Sequence, residues 1–123
     1  MKSIEDKLSC YTGTEKYYRF NFGNITIGYY TDGVKAMAEL CEAYWLIDVV
    51  MSYQTIKFRQ KHTFQVWILT KDDDNNAIAI AEDGNGKQIK KQVIGYSTFP
   101  FDEFEEPFKM FFCNDVLHLP SEY

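Results

Sequence analysis

The sequence predicts an α+β fold, an antiparallel meander sheet of about five strands with one main helix packed across a face. Three observations carry the prediction. Short runs of alternating apolar residues recur along the chain, pairs of Gly, Asn and Asp stand between them, and one long helical tract follows Thr31.

Residues 1–16 read as a short, weakly amphipathic helix that ends in a polar loop at Thr12-Gly13-Thr14. Residues 17–22 and 25–30 then form a β-hairpin, because Gly23-Asn24 supplies the positive φ values that a tight turn needs. Thr31-Asp32-Gly33 opens the main helix, its side-chain oxygens able to accept from the free N–H groups of the first turn. Val34, Met37, Ala38 and Cys41 mark its core face. From 43 to 51 only Asp48 is charged, and a helix that is apolar all round must be covered on more than one side. Either the N-terminal hairpin or a second copy of the chain is expected to cover it.

Residues 63–70 are apolar on both faces, the mark of a central strand. Residues 77–82 put Ala77, Ala79 and Ala81 on one face, and Asp83-Gly84-Asn85-Gly86 turns the chain into a returning strand over 87–99 that Pro100 ends. Residues 108–113, a turn at Asn114-Asp115, and residues 116–119 make a last hairpin. In the closing residues the Tyr123 ring is expected to fold back on the sheet edge, with its carboxylate near Lys35 or Arg19. No repeat or linker divides the chain, which reads as a single domain over 1–123.

A chain of 123 residues with 46% apolar and 25% charged residues has a globular composition. Its net charge of −5, with Arg19 and Arg59 as the only arginines, argues against sequence-specific DNA binding, for which a basic excess supplies the attraction to phosphates. Cys10, Cys41 and Cys113 show no paired spacing, and residues 1–10 lack the apolar core of a secretory leader. The expectation is a cytoplasmic protein with reduced thiols and no membrane span.

Asp72-Asp73-Asp74 invites a calcium reading, but Ala77 stands where that loop needs Gly, and a solvated turn is the better reading. Asp102, Glu103, Glu105 and Glu106 alternate with Phe101 and Phe104. Together with the aspartates they are the expected partner-binding surface, Phe104 included, for a basic protein. A second candidate is a pocket between helix and sheet at Tyr44, Trp45, Asp48 and Trp67. His62 and His118 belong to no nucleophile motif, no cofactor or metal is implied, and the chain is not expected to be an enzyme.

The strings Tyr30-Thr31-Asp32-Gly33-Val34-Lys35, Ala43-Tyr44-Trp45-Leu46, Phe64-Gln65-Val66-Trp67, Asp83-Gly84-Asn85 and Leu119-Pro120-Ser121-Glu122-Tyr123 resemble those of a small bacterial domain-of-unknown-function family, members of which also occur in phages and mobile elements. Two positions depart from that pattern. Ser97-Thr98-Phe99-Pro100 stands for an expected Thr-Asp-Phe-Pro, and Glu42 stands for a Gly, which implies a helix running through. The resemblance implies a non-enzymatic binding protein, an inhibitor of a bacterial defence system of the CRISPR type. It would act on a defence nuclease or its ribonucleoprotein by protein contact or by occluding a basic nucleic-acid groove. The alternative is a small enzyme or ligand-binding domain.

Overall fold

The computed structural model describes residues 3–13 and 16–123. Met1, Lys2 and Glu15 lie outside that range, as does Thr14 of the expected polar loop. The chain runs α1 (Ile4–Ser9), β1 (Tyr17–Phe22), β2 (Ile25–Thr31), α2 (Asp32–Leu40), α3 (Tyr44–Ser52), α4 (Ile56–Lys61), β3 (Phe64–Lys71), β4 (Asn76–Glu82), β5 (Gln88–Tyr96), β6 (Phe108–Cys113) and β7 (Val116–His118).

The strands form one seven-stranded sheet in the order β1-β2-β7-β6-β3-β4-β5, curled into a half-barrel. This corrects the expected five-stranded meander. The N-terminal hairpin joins the sheet instead of covering the helix, and it does so in parallel, through Tyr29 opposite Val116 and Tyr30 opposite Leu117. The sheet is therefore mixed. The central-strand reading of β3 holds, since it lies between β6 and β4 and pairs antiparallel with both. The returning strand ends at Tyr96, three residues short of its expected end.

The single main helix is also corrected, to two short ones, α2 and α3. α2 stops at Leu40, and Glu42 adopts a left-handed φ of 52°. The Ala43 N–H then donates to the Ala38 carbonyl at 2.9 Å, the bond that closes a Schellman end. The Gly expected at this position is the residue that such an end favours, and Glu42 does the same work under strain. α4 lies inside the polar stretch over residues 52–62, where the sequence suggests no helix. Thr55 caps it, its hydroxyl accepting from the Phe58 N–H at 3.2 Å.

One sheet face carries Trp67, Leu69, Ala77, Ala79, Ala81, Met110 and Phe112, all buried against α2 and α3, whose Val34, Met37, Leu46, Ile47 and Val50 complete the core. At its centre lies a polar knot. Gln54 and Gln65 exchange amide bonds of 2.8 and 2.9 Å, and Trp67 Nε1 donates to Gln65 Oε1 at 2.8 Å. Gln54 Nε2 reaches the Val50 carbonyl and Gln65 Nε2 that of His62, so every amide atom has a partner, as burial requires.

The last residues are tied down. Glu122 Oε1 accepts from Thr31 Oγ1 at 2.6 Å and from the Leu119 N–H at 3.0 Å, while Oε2 accepts from the Gly33 N–H at 3.2 Å. The Tyr123 ring stacks on His118 at 5.2 Å and meets Phe111 and Phe64 edge-on. The ring folds back as the sequence suggests. The anchoring carboxylate among the described residues is that of Glu122, held by Thr31 and Gly33, in place of a Tyr123 carboxylate beside Lys35 or Arg19.

Candidate functional site

The two acidic tracts lie far apart in sequence, and the register brings them to one end of the sheet. Lys71 at the end of β3 pairs with Ala77 at the start of β4, and Leu69 pairs with Phe108 at the start of β6. The 72–75 turn and the 97–107 loop therefore leave the sheet side by side. Asp73, Asp74, Asp102, Glu105 and Glu106 are exposed there. The remaining expected partner-binding residues have local duties. Asp72 Oδ1 accepts from the N–H groups of Asp74 and Asn76, both at 2.9 Å, and those backbone bonds, Asn76 first, hold its carboxyl below the usual range. Glu103 Oε1 accepts from the Ile4 N–H at 3.2 Å and so ties α1 to the loop. Phe104 stacks on Phe99 at 5.6 Å and touches Phe108, so its ring secures the loop from within.

The four expected pocket residues are not brought together. Trp67 is buried in the amide knot, and Trp45 lies half-buried in a depression with Val49 and β5. Tyr44 is exposed, its hydroxyl 3.3 Å from Glu39 Oε1. Asp48 does line a groove, of about 530 Å³, but with other companions: Phe20, Phe22 and Ile27 from the β1–β2 hairpin, and Met51, Ser52, Gln54 and Thr55 from the end of α3.

That groove follows from local chain physics. Gly23 at φ 63° makes the hairpin turn, and a register shift at Phe20/Asn21 skews the tip. Phe22 is left 77% exposed and Ile25 65% exposed. Helix periodicity places Asp48 and Met51 on the flank of α3 that faces the hairpin. The only formal charge among the lining residues is the Asp48 carboxylate, and Ser52 and Thr55 add hydroxyls. Beside it lies an aromatic and charged tract. Tyr18 stacks on Tyr30 at 5.5 Å, Lys35 Nζ stands 4.9 Å over the Tyr18 ring, and Lys35 pairs with Glu39 at 3.2 Å. Burial raises the Tyr30 hydroxyl pKa above its ordinary value, and Lys35 opposes the rise.

A sequence model described as a family of unknown function (DUF6876) matches residues 2–123. The chain belongs to this family. No curated protein and no solved structure matches it. The family span takes in the groove, both acidic tracts and the Glu122 clamp alike.

Elements of nucleophilic or metal chemistry do not converge on the groove. Burial pushes the Cys41 thiol up to about 12 and also raises that of Cys113. Neither thiol is poised as a thiolate. Among the described residues no cluster of three or more His, Cys, Asp or Glu side chains is placed to hold a metal ion, and no helix is long and apolar enough to cross a membrane. Reasoning from sequence missed Phe20, Phe22, Ile27 and Met51 as a group, because only the tertiary placement of the hairpin joins them. The signal for the groove was Asp48, a lone charge on an apolar helix.

Proposed function

We propose that the protein works by binding another protein, and that the groove between the β1–β2 hairpin and α3 is where the partner docks. The observation that carries this reading is the groove's lining, an exposed Phe22 ring with the half-buried Phe20 and Ile27 around a single carboxylate. Such a lining suits an apolar side chain that lies next to a Lys or Arg, so the occupant is a segment of a basic protein. The acidic end of the sheet, with Asp73, Asp74, Asp102, Glu105 and Glu106 exposed, supplies longer-range attraction to the same kind of partner.

In its finer form the partner is a bacterial defence nuclease or its ribonucleoprotein, and binding blocks the basic surface that would hold nucleic acid. The acid excess and the groove's charge support this form. The test is plasmid interference in a bacterial host with an active CRISPR system that expresses the wild-type chain or the Phe22→Ser/Asp48→Lys variant. The expected result is plasmid survival with the wild type and clearance with the variant. Clearance in both would remove the defence-inhibitor form.

One observation favours a second reading. A groove of about 530 Å³ falls within the size of small-molecule sites, so an apolar ammonium ligand also suits it. Native mass spectrometry of the purified chain with a long-chain alkylamine would show a one-to-one adduct, lost on Asp48→Lys, if this reading holds.

A further inference from the structure

We propose that the sheet face turned away from the helices is the interface of a homodimer. The register places Val66, Ile68, Ile78, Ile80 and Val93 on that face, and the Tyr123 ring covers only its corner at Phe64, Phe111 and His118. Side chains on a solvated antiparallel face are ordinarily polar, one residue in two. Here β3 and β4 carry Val66, Ile68, Ile78 and Ile80 on this face, half-buried, as well as apolar residues on the core face, and Val93 remains 60% exposed. At strand spacings of about 4.8 Å and lengths near 20 Å, the four strands that carry these residues, β6-β3-β4-β5, span roughly 400 Å² in plan. That is about half of the ~800 Å² that each partner gives to an interface of standard size, which places the dimer among the weak, transient ones.

The charges on the face suit a second copy. Glu82 sits opposite Val66, and Lys109 sits opposite Ile68, one row further along and two strands away. A twofold axis passing between Val66 and Ile68 sets Glu82 of each copy across from Lys109 of the other. The strands then cross steeply, as they do in orthogonally packed sheets. The two ion pairs close on themselves, which gives an isologous dimer and not an open chain of subunits. The proposal stands apart from the groove, since none of these residues lines it.

The test is light scattering after size exclusion of the full chain at about 100 µM, with far-UV circular dichroism to confirm the fold of each variant. The wild type should run at twice the 14.5 kDa chain mass. Glu82→Lys and Lys109→Glu should each shift it to monomer, and the combined exchange should restore the dimer. Ile80→Glu should also give a folded monomer, because the new carboxylate stays paired with Lys91 opposite it in the monomer but is buried in the dimer. A monomeric wild type, single exchanges that remain dimeric, or a double exchange that fails to restore the dimer would each overturn the proposal.

Discussion

Glu42 holds the left-handed position after α2 at φ 52°, a conformation that costs an L-residue with a side chain about 1 kcal/mol relative to Gly. Its side chain is exposed, so Glu42→Gly should stabilise the chain by about 1 kcal/mol and raise the melting temperature by roughly 3–5 °C. At Gly33 the opposite holds. A Cβ there would stand 2.6 Å from Glu122 Oε1, and the displaced carboxylate would lose the Thr31 and Gly33 bonds. Gly33→Ala should cost about 1–3 kcal/mol. In a Glu122→Ala background the same change should be neutral or stabilising, since Ala is the better helix former. A double-mutant cycle on chemical denaturation reads the coupling. His118 offers a pH test. Burial lowers its pKa below 6.5, with a hydrogen bond at the Val116 backbone opposing in part, and Nε2 finds no hydrogen-bond partner among the described residues. The neutral ring therefore contributes stability that is whole above pH 6.5 and is lost as pH falls through the lowered value. Glu122, whose pKa burial raises, titrates in the other sense, with stability lost as pH rises above about 4.5. Because Glu122 is common to both chains, the difference between wild type and His118→Phe isolates the histidine. Wild type should lose more stability than the variant between pH 7 and pH 5.

At the scale of elements, the parallel join of β2 to β7 is short, and α4 reinforces it. Arg59 Nη1 donates to the Ile27 carbonyl at 2.7 Å and to Asp115 Oδ1 at 3.1 Å, so one guanidinium ties α4, β2 and the β6–β7 turn. Arg59→Ala should cost about 1–2 kcal/mol, mostly through the bond to Ile27, since Asp115 is well exposed. The Tyr29 amide, which donates to the Asp115 carbonyl at 2.8 Å, should exchange faster with solvent. Unchanged exchange at Tyr29 would show that the strand pair stands without the arginine. The turns themselves were legible. Gly23, the Asn114-Asp115 pair and Gly86 take the positive φ that their residue types suggest, whereas Asn24, expected to share it with Gly23, does not. The break between α2 and α3 was not legible, because Glu carries no turn signal and only backbone geometry reveals its role. α4 was hidden by polarity, although Thr55 three residues before Phe58 is a capping arrangement that could have marked it.

At the scale of the molecule, seven strand-like runs stand in the sequence, and what it does not carry is their order. Two residue pairs decide that the first hairpin joins the sheet in parallel, and a contact between Tyr29 and Val116 leaves no local pattern. The same holds for function. The acidic tracts were legible as charge, but their convergence follows from strand register, and the groove follows from where the hairpin lies against α3. The central claim is that this groove binds a basic protein. The most direct measurement is quantitative affinity capture from a bacterial host lysate, comparing wild type with Phe22→Ser/Asp48→Lys at equal bait and matched melting temperature. The account predicts a basic protein in near-stoichiometric amount on the wild type and at least tenfold less on the variant. Equal recovery on both baits, or an acidic partner held through another surface, would contradict it.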